Sequence, residues 1–244
     1  MNILLEAARR IVSRRIFVLT GLVVLTLCTA GCFDNEPAQR VAFIKFLQTR
    51  IIDKPGLHIP IMSADDIKAF GPYASQYRIM NGFHHGLNAA AGGDLAKAMQ
   101  ITAPRSLAEL ADKRTIFPVL RDGMARMIAE LDKDEAKADA AHKALNQPAD
   151  LKRVYDVAYE RMVTQPAKVF REMMPMIDQS LPAVEALAVY LDEHRSAIDF
   201  RGNQINVTDP VVRAKLSGLL QDAAKSGEIA NEGKRKLRAM AEGR

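Results

Sequence analysis

The chain has few of the features that mark a disulfide-stabilised or catalytic protein. It contains no tryptophan, 6% aromatic residues and two cysteines among its 244 residues. The cysteines are Cys28 and Cys32, so cleavage before Cys32 would leave one cysteine and no internal disulfide. The sequence also has no H-x-x-x-H, C-x-x-C or G-x-S-x-G pattern and no phosphate-binding loop. No catalytic residue, metal ligand or cofactor is therefore predicted.

What the chain does contain is typical of a folded helical body. Hydrophobic residues make up 48% and charged residues 26% of the sequence, and good helix formers are plentiful. We predict an all-α fold, an elongated bundle of about six to eight helices. Four arginines and one glutamate in residues 1–31 supply +3 of the net charge of +5, which leaves +2 for the remainder. That small excess gives no reason to expect nucleic acid as a partner.

The N-terminal segment has the layout of an export signal. Met1–Arg15 is polar and basic, and Ile16–Ala30 is a mostly apolar run of 15 residues that ends in small residues before Cys32. This order is that of a secretory signal peptide. A membrane-spanning helix needs about 20 apolar residues, so the run is short for that role. An uncleaved inner-membrane anchor helix remains the alternative.

The residues around Cys32 indicate the kind of signal. Thr29-Ala30-Gly31-Cys32 resembles a bacterial lipobox, although Thr29 stands where an aliphatic residue is usual. The resemblance implies a diacylglycerol on the Cys32 thiol, cleavage between Gly31 and Cys32, and acylation of the new amine. We therefore expect a lipid anchor on Cys32.

Two further features bear on the export route and the destination. Arg14 and Arg15 lie in a segment that resembles a twin-arginine signal, although pairs of arginines are also ordinary in basic leaders. Both export routes therefore stay open. Phe33 follows the lipobox where lipoproteins retained in the inner membrane often have Asp. This favours the outer membrane, with the body facing the periplasm, and leaves the inner membrane as the alternative.

We divide the chain at its changes of composition. Residues 1–31 form the removed signal peptide, 32–37 a short lipid tether, 38–224 a helical domain, and 225–244 a basic tail. The tail has six basic and three acidic residues, and we expect the last helix to end near Ala224 and the tail to fray.

Helix starts and breaks are predicted within the domain. Ser63-x-x-Asp66 and Ser106-x-x-Glu109 resemble capping boxes. A long helix with a narrow apolar stripe, interrupted at Asp134, follows Pro118. Gln165-Pro166 is expected to open another helix, with kinks at Pro175 and Pro182. Residues 198–207 alternate around Gly-Asn and predict one small β-hairpin.

Three blocks of sequence resemble one family. They are Gly31–Asp34 with Gln39–Gln48, Phe70–Tyr73 with Tyr77, and Ala138–Leu145 with the segments around Asp150 and Pro166. Together they resemble the YiaF-like bacterial lipoproteins, a domain-of-unknown-function family. The likeness runs in patches from about residue 31 to 207. It implies an acylated cysteine, carried here onto Cys32, and brings no catalytic residue.

The remaining candidates for chemistry have ordinary structural explanations. Neighbouring His84 and His85 point about 100° apart on a helix and cannot chelate one ion together. Asp139 and His142 stand three residues apart and could pair as acid and base or as a weak helix contact. The methionines around Pro175 could form an adaptable binding surface or fill the core. The other histidines are His58 and His194.

These observations leave three hypotheses. The preferred one is a non-enzymatic cell-envelope lipoprotein that is anchored to the membrane through its N-terminal lipid and acts by protein–protein or envelope interactions, with other envelope proteins as possible partners. The second is a periplasmic module that binds a small ligand or lipid between helices, and the third is an envelope hydrolase. The ligand-binding residues of the second hypothesis cannot be assigned from the sequence.

Overall fold

The structure is a computed structural model that describes residues 35–92, 106–201 and 204–243. Its described part is helical apart from one antiparallel hairpin, which confirms the all-α prediction and the hairpin near 198–207. The elements are α1 (Glu36–Leu47), α2 (Ala64–Phe70), α3 (Ala74–Gly92), α4 (Leu107–Asp112), α5 (Ile116–Lys143), α6 (Ala149–Tyr159), α7 (Gln165–Glu193), β1 (Ile198–Arg201), β2 (Gln204–Val207) and α8 (Pro210–Glu242).

Helix starts follow the local chemistry of the sequence. The Ser63 side chain accepts from the Asp66 N–H and the Asp66 carboxylate accepts from the Ser63 N–H, so α2 begins with a complete capping box. Ser106 caps α4 by accepting from the Glu109 N–H. Asp209 accepts from the first N–H groups of α8. The capping box at Ser63 and Asp66 is confirmed, and at Ser106 the serine cap is confirmed. These hydroxyl and carboxylate groups satisfy donors that a helix start leaves unpaired.

Two π turns interrupt the helical geometry. The first, Gln48–Ile52, extends α1, and the Asp53 N–H donates to the Gln48 carbonyl five residues back at 2.8 Å. The second, Glu160–Thr164, joins α6 to α7. Pro166 lies two residues after it and has no N–H with which to continue the ordinary ladder. The prediction that Gln165-Pro166 opens a helix is confirmed, since α7 begins at Gln165, and the π turn joins it to α6.

An aromatic cluster joins α1, α2, α3 and α6. The rings of Phe46 and Phe70 lie 5.0 Å apart, and those of Phe43 and Phe70 lie 5.4 Å apart. Tyr77 meets Phe46 edge to face at 5.3 Å. These residues are buried, so one side of α1 packs into the core. Burial of such side chains is the main favourable contribution to folding.

The interruption at Asp134 in the stripe of α5 has a structural reason. Helices α3 and α5 pack against each other, and the Asp134 carboxylate occupies the place that a Cβ on Gly86 would take. Gly86 thus accommodates a polar side chain at the helix interface. Leu131 and Ala138, on either side of Asp134 along the stripe, are buried as expected. Helix α5 begins at Ile116, two residues before Pro118.

Helices α7 and α8 form the largest contact in the fold. The β-hairpin connects them, with Ile198 paired to Val207 and Phe200 to Ile205. Helix α7 runs through Pro175 and Pro182, and the tip of the hairpin at 202–203 lies outside the described residues.

The last helix does not end near Ala224 but continues to Glu242, so that prediction is wrong. Its second half packs on α7 through small residues: Gly233 lies against Met173, where an added Cβ would approach within 3.2 Å of the methionine side chain. Ser226 and Gly233 are both buried. Charged side chains on the outer face made this segment resemble a tail, although its inner face is a helix interface.

Candidate functional site

A groove runs between the first turns of α7 and the last turns of α8. Four residues of α7 line it at helical spacing: Gln165, Lys168, Val169 and Glu172. Residues of α8 face them at the same spacing: Lys236, Ala239, Met240 and Gly243. Arg161, Gly56 and Leu57 complete the lining, and the volume is about 560 Å³. Residues three, four and seven apart share one helix face, so the groove lies where two such faces diverge.

One end of the groove is fixed by backbone contacts between the loop after α1 and the C-terminal turn of α8. The Leu57 N–H donates to the Met240 carbonyl at 3.1 Å. Gly56 has a φ of +70°, and a Cβ there would lie 2.2 Å from the Ala241 carbonyl oxygen. The site thus needs glycine for both its conformation and the close approach of two backbones.

Arg161 holds the two π turns together at the edge of the groove. Its guanidinium donates to the carbonyl of Ile52 and, at 2.9 Å, to that of Lys54. Both acceptors are neutral backbone carbonyls. The bonds therefore satisfy N–H donors of Arg161 but leave its positive charge uncompensated. π turns often occur at functional positions. Here they bring a cation from the α6–α7 junction beside the loop that follows α1.

The remaining charges of the groove are also mainly positive. Lys236 Nζ lies 3.2 Å from a Glu172 carboxylate oxygen, which pairs one lysine with the single acid of the lining. Lys168 is exposed and has no ion-pair partner among the described residues. With Arg161, the lining residues therefore carry a net charge of +2. Between these cations the surface is provided by Leu57, Val169 and Met240, all partly exposed.

A second polar cluster lies where α5 turns into α6. His142 Nε2 and an Asp156 carboxylate oxygen lie 2.9 Å apart, and Lys152 donates to the other oxygen at 2.7 Å. Burial alone would raise the pKa of Asp156, but hydrogen bonds from Lys152 and His142 outweigh it and hold the pKa below its usual value. The ring of His142 also packs on that of Tyr159, with centroids 4.1 Å apart.

Asp139 and His142, which the sequence suggested as a possible pair, have different partners in the structure. Asp139 accepts a hydrogen bond from the Tyr159 hydroxyl at 2.7 Å, whereas His142 contacts Asp156. Burial and the bond to Asp139 raise the pKa of Tyr159, which keeps the hydroxyl protonated as a donor. Each residue therefore links α5 to α6. These charge-assisted hydrogen bonds join the two helices on either side of the turn.

His84 is the histidine with the most unusual surroundings. It is 4% exposed, and its Nε2 has no hydrogen-bond partner within the described ranges. Burial lowers the pKa of His84 to about 4, against a hydrogen bond with the Met162 backbone that raises it. His85 is exposed, as expected for the next position along a helix. The two rings cannot ligate one ion, and His84 is a neutral core residue.

Of the other candidates from the sequence, some lie outside the described residues and some are buried in the core. Gly31, Cys32, Arg14 and Arg15 lie outside the described residues. Met173 and Met174 are buried, which supports core filling around Pro175. Across residues 35–92, 106–201 and 204–243, no group of three His, Cys, Asp or Glu side chains could hold a metal ion. Over the same ranges, no helix is both long and apolar enough to cross a membrane.

The described residues form a helical body with one hairpin and an open basic groove, which does not by itself indicate an activity. Residues 18–239 match the family described as "Protein of unknown function (DUF3053)". The chain belongs to this family. It is 29% identical over 192 residues to the "Uncharacterized protein YiaF" of Escherichia coli K12, covering 78% of this chain and 81% of the relative. The Shigella flexneri protein of the same name matches equally. No solved structure matches the chain.

The family match extends beyond the region of expected likeness. The likeness was expected from about residue 31 to 207, but the match covers residues 18–239, through most of α8. The groove residues were not found from the sequence because they are polar or charged and look like a solvated helix face. The available signal was their shared spacing in two segments, which becomes informative only once α7 and α8 are known to pair.

Proposed function

We propose that this protein is an exported, non-enzymatic lipoprotein of the bacterial cell envelope, anchored through lipid on Cys32. The observation that carries the proposal is the order of a basic segment, a short apolar run and Thr29-Ala30-Gly31-Cys32 at the N-terminus. Phe33 favours attachment to the outer membrane with the helical body in the periplasm.

The start of the helical body supports a short tether. Helix α1 begins at Glu36, four residues after Cys32. Four residues at about 3.3–3.6 Å each span at most about 14 Å, so an anchored body would lie close to the bilayer. At this end of the fold, Tyr73 donates to the Glu36 carboxylate and Arg40 lies 3.3 Å from Asp150. These contacts join α1 to its neighbours directly after the tether.

Exposed apolar side chains supply a surface for protein contacts. Ile61 is 93% exposed in the loop before α2, and Ile59 and Ile67 are also exposed. Single exposed apolar residues are common, but several in one loop and the helix after it favour an interaction surface. We propose that this loop contacts another envelope protein.

The anchor is tested by feeding cells an alkyne-bearing fatty acid and detecting it on the purified protein. We expect label on the wild type and none on Cys32→Ser. Cys28→Ser is the matched control, because it removes the other cysteine and should keep the label. Density-gradient separation of the membranes then assigns the labelled protein to the outer or inner membrane. Equal labelling of Cys32→Ser would contradict the proposal.

The interaction surface is tested by placing a photo-crosslinking amino acid at Ile61 in cells. We expect crosslinks to one or a few envelope proteins. These crosslinks should disappear when Ile59→Asp is added to the protein that carries the crosslinker at position 61. A crosslinker at Lys215, exposed on α8, is the control and should give none of these products. The same products from both positions would mean that the loop has no specific role.

A further inference from the structure

We propose that the groove between α7 and α8 binds a single-chain lipid with an anionic head group. No property of the family or of its relatives assigns a ligand to these residues. The proposal concerns a non-covalent ligand and does not depend on the acylation of Cys32. It rests on the volume, the apolar surface and the charges of the groove.

The size and lining of the groove suit a small amphiphile. Ligand sites usually have volumes of about 300–1,000 Å³, with mostly apolar walls and a few polar groups, and this groove has about 560 Å³. Leu57, Val169 and Met240 come from three separate segments and present apolar atoms to the same space. Because these side chains are only partly buried, an acyl chain laid over them would remove further apolar surface from water.

The charges select the head group. Lys168 from α7 and Lys236 from α8 approach the groove from opposite walls, and Arg161 lies at its edge. Glu172 compensates one of these three cations. The excess of positive charge favours an anion, and lysine and arginine are good donors to phosphate and carboxylate groups. A neutral amphiphile would use the apolar surface alone.

The position of the groove distinguishes this ligand from the proposed anchor. Helix α1 and its π turn contain 12 and 5 residues, which at 1.5 Å each separate Glu36 from Ile52 by about 25 Å. The tether is joined to α1 at Glu36, whereas the groove is lined by Gly56 and Leu57, in the loop after Ile52. The groove therefore opens on a part of the body distant from the tether attachment.

The test uses the full chain in nanodiscs of zwitterionic phospholipid, with 13C-methyl methionine and decyl phosphate below its micellar concentration as the probe. Met240 lines the groove, and its resonance is assigned through Met240→Leu. Met80 is fully buried elsewhere and serves as the internal reference. We expect decyl phosphate to shift the Met240 signal saturably and to leave the Met80 signal unchanged.

Two comparisons separate the contribution of the anionic head group to binding from that of the acyl chain. Inorganic phosphate alone and neutral decyl glucoside should each bind about tenfold more weakly than decyl phosphate, because each provides only one of the two contacts. Equal binding of decyl glucoside would overturn the anionic preference. An unshifted Met240 signal throughout the titration would overturn the proposal as a whole.

Variants then assign the charge. Lys168→Glu should weaken decyl phosphate binding about tenfold, and Lys168→Gln less, since the first reverses an exposed charge and the second only removes it. Lys215→Glu makes the same change on another exposed lysine of the chain and should leave binding unaltered. Equal weakening by Lys168→Glu and Lys215→Glu would mean that general electrostatics, and not this groove, binds the ligand.

Discussion

The buried imidazole of His84 should make the stability of this protein depend on pH. Its pKa is lowered from 6.5 to about 4, chiefly by burial, with a smaller contribution from neighbouring His85. In the unfolded chain the ring binds a proton below pH 6.5, whereas in the folded protein it stays neutral until about pH 4. The unfolded state thus binds more protons across this window, and the free energy of unfolding falls as the pH is lowered through it.

The size of the effect follows from the difference between the two pKa values. One pKa unit corresponds to about 1.4 kcal/mol, so a depression from 6.5 to about 4 gives a loss of roughly 3 kcal/mol between pH 7 and pH 4. Typical domains have about 5–15 kcal/mol of stability, so this loss is easily measured. Above pH 6.5, this group should contribute no pH dependence.

The assay is urea unfolding followed by circular dichroism at half-unit steps from pH 7.5 to 4. The difference in unfolding free energy between wild type and His84→Gln should change by about 3 kcal/mol over that range, because the variant has no titrating ring at this position. His85→Gln is the matched control at the adjacent exposed residue, and its unfolding free energy should depend on pH nearly as that of the wild type does. The same pH dependence in wild type and His84→Gln would mean that burial does not lower the pKa of His84.

Three further changes test the contacts that hold the fold. Gly56→Ala should lower the unfolding free energy by about 2 kcal/mol or more in urea titrations, because of its positive φ and the Ala241 carbonyl, whereas Gly218→Ala, where an added Cβ meets nothing within 4 Å, should raise it by about 0.5–1 kcal/mol. A loss at Gly218→Ala as large as at Gly56→Ala would contradict this. Ser63→Ala removes the cap of α2 and should cost about 0.5–2 kcal/mol by the same assay; no loss would mean that water replaces the cap fully. Arg161→Gln should cost about 1–2 kcal/mol and raise amide exchange in residues 52–54, since it removes the bonds to their carbonyls.

Features that depend on nearby residues were predictable from the sequence. Ser63 and Asp66 form their capping box within four residues, and the stripe of α5 with Leu131 and Ala138 is buried as its spacing indicates. The hairpin at 198–207 was also predicted, since strand alternation and a Gly-Asn turn act locally. In each case the signal in the sequence spans only a few helical turns or one strand pair.

Features that depend on a partner helix were not predictable. The second half of α8 was expected to fray because its inner face uses Ser226, Gly233 and similar small residues, which carry little hydrophobic signal. Their role appears only when Met173 of α7 lies against Gly233. Likewise, Gln165-Pro166 predicts the start of α7, but the π turn that joins α7 to α6 was not predicted.

The candidate site was missed for the same reason. Lys168 and Lys236 lie 68 positions apart in the sequence, and nothing in either segment indicates that they face one groove. Asp139 and His142 were recognised as candidates, but their partners Tyr159 and Asp156 come from the following helix. Local spacing thus identified reactive residue types, while the contacts that define their roles depend on tertiary structure.

Attachment through lipid on Cys32 is tested by the intact mass of the N-terminal peptide from the membrane fraction of wild-type and Cys32→Ser cells. We expect a triacylated peptide that begins at Cys32 in the wild type and is absent from the variant. An unmodified peptide that begins at Met1 in the wild type would contradict it and would favour an uncleaved anchor helix.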